Sequence, residues 1–251
     1  MKYCIFSIGL TLLISSTAFA KPHPSKKTLK RLEAKLEQLQ RELEHRPRDV
    51  STYRLPKTLK FCGTKIDLEN PVIRDRLEHE FYLILGDRAQ VVLWARRAQR
   101  VFPPMERTIK RRKMCDDLKY VAVAESGLRP AVTSHASAKG WWQFMAPTAR
   151  DFGLKVGRSW DERADLGQST SAGLRYLEEL RNQFGTWPLA LAAYNTGPGR
   201  LRRAIKDQGI KDYWRLMLIN EAERYVPRIV MIKEVLGNAE RYGFHLNGLH
   251  S

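Results

Sequence analysis

Asp116-Asp117-Leu118-Lys119-Tyr120-Val121-Ala122-Val123-Ala124-Glu125-Ser126-Gly127 places Leu118, Val121, Ala122 and Glu125 at i, i+3, i+4 and i+7, on one face of a helix. Asp116 and Asp117 are positioned to cap its start, and Gly127 with Pro130 to end it. Three of the four face positions are apolar, so the face turns to a core and carries Glu125 with it. A carboxyl there loses hydration, and the negative end of the helix dipole lies close by. Both effects favour the protonated form and raise the pKa, which suits a general acid working near neutral pH. A structural glutamate paired with one of the chain's many arginines fits the same pattern, and this stretch alone does not separate the two.

Outward from it the chain reads as helical almost throughout. Pro71 to Val101 has a helical pattern interrupted at Gly86-Asp87. Further helices are expected near 105–112, 116–125, 147–153, 162–184, 187–194, 198–207 and 220–242, with Gly and Pro at most joints. No segment shows sustained period-two alternation, so the class is all-α. Upstream, Leu29, Leu32, Leu36, Leu39 and Leu43 follow heptad spacing with Glu, Lys and Arg between them. Two heptads are marginal alone; the segment is either a dimerising or docking helix, the latter for a cell-wall protein partner, or one that folds back on the body or frays. Pro47 and Pro56 then break regular structure, and Tyr53 to Leu68 reads as an extended arm. The expected organisation is a leader over 1–20, a basic arm over 21–66 and a catalytic domain over 67–251.

The leader has Lys2, an apolar run from Ile5 to Ile14 and a small-residue site ending at Ala20, the pattern of a secretory signal peptide cleaved after Ala20. The run falls short of the roughly 20 residues needed to span a bilayer, and Cys4 has no lipobox around it. The formal charge of the whole chain is +17. Such a balance suits nucleic acid, an anionic membrane or an acidic polymer. Export disfavours nucleic acid and favours peptidoglycan, with its peptide and muramyl carboxylates. Cys62 and Cys115 remain after processing, as a disulfide or as two buried thiols. No Cys or His spacing suggests a metal or calls for a cofactor.

Downstream of Glu125-Ser126 come Ser134, then Gly140-Trp141-Trp142-Gln143-Phe144-Met145, then Ala192-Ala193-Tyr194-Asn195-Thr196-Gly197-Pro198-Gly199, and finally Glu221-Ala222-Glu223-Arg224-Tyr225-Val226-Pro227. In this order and spacing the series resembles the lytic transglycosylases with a goose-lysozyme-like domain, over about residues 67 to 240, and is most similar to the membrane-bound lytic murein transglycosylase D branch. The resemblance implies a lysozyme-like helical fold and cleavage of the N-acetylmuramic acid–N-acetylglucosamine bond to 1,6-anhydromuramyl ends. It implies Glu125 as acid and then base, with Ser134, Gln143, Tyr194 and Asn195 along the sugar cleft. Glu221 and Tyr225 would form its far wall, with Tyr176 facing the same space. Trp141-Trp142 departs from the family's usual Leu-Met or Leu-Trp and reads as an altered sugar-stacking wall; Ala222 replaces a usual Thr. Apart from the resemblance, Trp141, Trp142, Phe144, Tyr176 and Tyr194 offer aromatic faces for pyranose rings, although large aromatics also fill cores. Gln143 and Asn195 add paired donors and acceptors for N-acetyl groups. A hydrolytic muramidase and a non-catalytic peptidoglycan-binding protein are the alternatives.

Overall fold

The computed structural model describes residues 25–45 and 49–244. The segment read as a signal peptide, and the side chain of Leu43, lie outside these residues. The chain divides into two units, Met1–Arg46 and Pro47–Ser251. In the first, α1 (Lys26–His45) is a single helix whose Leu29, Leu32, Leu36 and Leu39 are exposed. Among the described residues no helix is long and apolar enough to cross a membrane.

The second unit is built from eight helices among the described residues: α2 (Pro71–Gly86), α3 (Arg88–Arg111), α4 (Lys119–Ser126), α5 (Ala146–Asp151), α6 (Leu166–Phe184), α7 (Trp187–Thr196), α8 (Pro198–Gln208) and α9 (Asn220–Gly237). The all-α reading holds. Helix α7 is the hub: Leu189, Ala190, Leu191, Ala192 and Ala193 are all fully buried, as expected of a helix that is apolar on every side. α6, α8 and α9 pack on it, and α9 also meets α2 and α4.

Three expectations are corrected. First, 53–66 belongs to the body: Tyr53, Leu59, Phe61, Ile66 and Leu68 are buried in its core. Two short antiparallel strands, β1 (Lys60–Phe61) and β2 (Thr64–Lys65), form a hairpin there. Cys62 and Gly63 make its turn with φ of 47° and 78°, the paired positive values that a tight hairpin turn needs. Cys62 is disulfide-bonded to Cys115, and its N–H donates to Asp117 at 2.7 Å, which fixes the hairpin to the foot of α4. Second, α3 runs unbroken through Pro103 and Pro104. The carbonyls these prolines deprive of partners, four residues back, belong to Gln99 and Arg100 on the exposed side, where water can serve them. Third, Asp116 and Asp117 do not cap α4. They lie in a 3₁₀ turn before it, with Asp116 bonded to Lys119 and Asp117 to Lys233.

α9 also contains a proline. Pro227 leaves the carbonyl of Glu223 without its helical donor, and the buried hydroxyl of Tyr213 takes that place, with 2.7 Å to Glu223 O and 2.9 Å to Ala222 O. The helix therefore keeps its course through Tyr225.

Candidate active site

Glu125 sits in the last turn of α4, which Gly127 closes in the left-handed conformation. The other members of its face, Leu118, Val121 and Ala122, are fully buried. The hydroxyl of Tyr225, from α9, donates to Glu125 Oε1. Burial raises the Glu125 carboxyl from an ordinary 4.5 to about 7; the Tyr225 hydrogen bond and the positive charge of Arg228 oppose the rise, and the charge of Glu221 adds to it. At neutral pH both protonation states are accessible, the condition for a group that gives a proton and later takes one. Ser126, beside it, is buried and bonds the carbonyl of Trp141 at 2.9 Å, holding the next loop against α4.

That loop, 132–145, forms the cleft's second wall. At Gly140 (φ 85°) a Cβ would lie 1.8 Å from Arg163 O, so only glycine fits. Gln143 also has positive φ, at 47°, and its Nε2 donates to Val132 O and Gly140 O, both at 2.9 Å. Both amide hydrogens are thus engaged, and the carbonyl oxygen remains as an acceptor for a ligand N–H or O–H. Ser134 Oγ accepts from Ala138 N at 3.0 Å and keeps its proton to donate. Arg163 anchors the loop from behind, bonded to Asp161, Ser137 O and Phe144 O; this pair holds the Asp161 carboxyl down at about 2. Tyr194, on α7, donates to Trp142 O at 2.6 Å, while Asn195 Nδ2 lies 3.5 Å from Glu221 Oε1.

Glu125, Ser134, Gln143, Tyr194, Asn195, Glu221 and Tyr225 line one cleft of about 790 Å³. Phe144 and Tyr176 do not. Phe144 is buried, and Tyr176 packs against Phe152 and Tyr194 with ring centroids 4.8 and 5.2 Å apart, so both back the wall. The Trp141-Trp142 sugar wall is also corrected. Trp141 is buried with its indole N–H on Ala164 O. Trp142 is fully buried and bonded to Thr170, and Gly173 of α6 leaves room for its ring: a Cβ there would meet it at 2.7 Å.

The sequence reading missed Glu80, Arg224 and Arg228, which line the same cleft. Glu80 had a signal, since it falls on the apolar stripe of α2 with Leu77, Phe81 and Ile84, just as Glu125 does on α4. Also missed was a second lobe of about 480 Å³ that shares Glu125 and reaches Gln90, Trp94, Gly127 and Arg129. Cys62, Cys115 and Asp117 are the grouping of metal-type ligands among the described residues, and its two sulfurs are bonded to each other.

Residues 105–217 match the model of the transglycosylase SLT domain. The chain is 34% identical over 191 residues to the membrane-bound lytic murein transglycosylase D of Escherichia coli K12, covering 74% of this chain and 42% of that protein. It is 30% identical over 148 residues to the membrane-bound lytic murein transglycosylase F of Desulfosudis oleivorans, covering 46% and 31%. The chain thus spans less than half the length of these curated relatives. The crystal structure of the 70 kDa soluble lytic transglycosylase of Escherichia coli superposes with a TM-score of 0.48 at 17% identity, covering 84% of this chain and 44% of that one. The SLT match ends before α9, so the cleft is completed by helices on both sides of the matched segment: α2 brings Glu80, and α9 brings Glu221, Arg224, Tyr225 and Arg228.

Proposed function

We propose that the protein is a peptidoglycan lytic transglycosylase in which Glu125 acts first as acid and then as base. The observation that carries this reading is a half-buried carboxyl raised to about 7, placed in one cleft with the hydrogen-bonding groups of Ser134, Gln143, Tyr194 and Asn195. In the first step Glu125 gives its proton to the oxygen joining N-acetylmuramic acid to N-acetylglucosamine, and the bond from that oxygen to muramyl C1 breaks. The electron-poor C1 is supported by the muramyl N-acetyl group, which the Gln143 carbonyl can orient by its N–H. Glu125, now ionised and steadied by the Tyr225 hydroxyl, takes the proton of the muramyl C6 hydroxyl as that oxygen bonds to C1. The product is a 1,6-anhydromuramyl end, and no water is consumed. Two-carboxylate glycosidases require a nucleophile or a water-activating base opposite the acid; of the cleft's two other carboxylates, Glu80 is occupied by Arg224 at 2.5 Å and Glu221 faces the Asn195 amide at 3.5 Å.

In this reading the enzyme works outside the cytoplasm. Residues 1–20 serve as a cleaved export signal to the periplasm, the basic surface faces an anionic polymer, and the leucine stripe of α1 is a surface for a cell-wall protein. Mass spectrometry of fragments released from purified sacculi tests the reaction. Anhydromuramyl ends from the wild type and none from Glu125→Gln are expected. Reducing muramyl ends would replace the reading with a hydrolytic muramidase, and no release at all would replace it with a binding protein.

A further inference from the structure

The two lobes that meet at Glu125 differ in chemistry. Both are lined by Glu80, Arg224 and Arg228; to these the first adds the neutral Ser134, Gln143 and Asn195 and one carboxylate, Glu221. The second presents Arg129 with Arg224 and Arg228 at the shared boundary. Its carboxylates are already engaged: Glu80 by Arg224, and Asp87 as the cap of α3 through Gln90 N at 3.0 Å. Arg129 is not neutralised. Its Nε donates to Ser126 O at 3.0 Å, and Arg97 Nη1 donates to Gly127 O at 2.9 Å, so the carbonyls at the end of α4 hold both guanidinium groups. Neither arginine forms an ion pair with a carboxylate among the described residues. Their charges repel, and burial together with Arg129 lowers the Arg97 pKa. Gly127 keeps the floor open, since a Cβ there would come within 3.1 Å of Trp94 Nε1. Each guanidinium has five N–H donors in a planar fork that matches a carboxylate.

We propose that the second lobe is a carboxylate subsite, in which Arg129, backed by Arg97, receives the carboxylate that a muramyl residue carries on its lactyl group or on the peptide attached to it. The choice of a muramyl ligand rests on the transglycosylase reading; N-acetylglucosamine has no such group. The test titrates the Glu125→Gln protein, with and without Arg129→Gln, with three tetrasaccharides. One is chitotetraose, which has no carboxylate. One is a denuded (GlcNAc-MurNAc) dimer with free lactyl carboxylates, and the last is the same dimer bearing tripeptide stems, with carboxylates on the peptide alone. Arg129 is exposed, so its replacement opens no core. Arg129→Gln is expected to weaken an acidic ligand about ten-fold, the scale of one or two charge-assisted hydrogen bonds, and to leave chitotetraose unchanged. The acidic ligand that loses affinity identifies the source of the carboxylate, and Arg97→Gln should produce a smaller loss of the same selectivity. An equal loss for chitotetraose, no loss for either acidic ligand, or no binding of any of the three overturns the subsite. The enzyme reading is decided separately by the wild type's anhydromuramyl products, so either proposal can fail while the other stands.

Discussion

Glu80 and Glu125 reach the cleft by the same device and end in opposite conditions. On α2, Glu80 shares a face with Leu77, Phe81 and Ile84; on α4, Glu125 shares one with Leu118, Val121 and Ala122. Two consecutive residues of α9 then separate them. Arg224 reaches Glu80 and makes an ion pair at 2.5 Å, whereas Tyr225 reaches Glu125 and offers one hydroxyl. Placing a carboxylate on an apolar stripe therefore does not make an acid. What the neighbouring helix brings to it decides whether the carboxyl is held in an ion pair or meets a single hydroxyl in the cleft.

The same substitution at both positions exposes the contrast. The largest effect is expected in catalysis: Glu125→Gln should lower anhydromuramyl release by about a thousand-fold, within the range for a lost general acid and base. Glu80→Gln should keep most of the activity that its fold allows. A comparable loss from Glu80→Gln would make Glu80 a second catalytic carboxylate and break the comparison.

Stability should move in opposite directions. Because the folded pKa of Glu125 is raised above 4.5, the folded state binds the proton more tightly. Its contribution is fully present below pH 4.5 and is lost as pH rises to about 7. Glu125→Gln removes that dependence, so its stability relative to the wild type should improve between pH 4 and pH 8 by up to about 3 kcal/mol, at roughly 1.4 kcal/mol per pKa unit. Glu80→Gln should instead destabilise by about 2 kcal/mol. That is less than for breaking a fully buried pair, because Arg224 is half-exposed and can rehydrate. Urea unfolding of the three proteins at both pH values checks these signs, and a destabilised Glu125→Gln at pH 8 would mean that the carboxylate is held ionised in the fold.

This contrast also marks how far the sequence could be read. Glu125 on the α4 stripe, the Gln143 and Tyr194-Asn195 motifs and the Glu221 and Tyr225 pair were legible because each is local or belongs to an ordered motif series, and these residues line one cleft. The Glu80–Arg224 pair spans 144 positions, and nothing local in α2 announces a cation that arrives from α9. The tryptophans failed for a related reason. Adjacent residues on a loop have no periodicity to tell core from wall, and it is Gly173, on another helix, that makes room for Trp142. The hairpin at 60–65 was hidden by its length, since strands of two residues leave no alternation to detect.

The smallest effect and the finest test fall on Tyr225. Its hydroxyl is the difference between Glu125 and a carboxyl buried without a polar partner, and it opposes the rise in pKa by stabilising the ionised form. Tyr225→Phe should therefore push the Glu125 pKa further up. Since the first step needs the protonated carboxyl, activity falls as pH rises through that pKa, and the alkaline limb of kcat/KM should move to higher pH in the variant. Below the limb the rate should drop only a few-fold, the cost of about 1 kcal/mol for one lost hydrogen bond that orients the carboxyl. A limb that stayed in place would show that the ionised form had lost nothing with the hydroxyl, leaving the charge of Arg228 as the main counterweight to burial, and one that moved to lower pH would show that the hydroxyl had served the protonated form. A few-fold loss with a displaced limb would assign to one phenol on α9 what Arg224, the residue before it, does for Glu80 with a full charge.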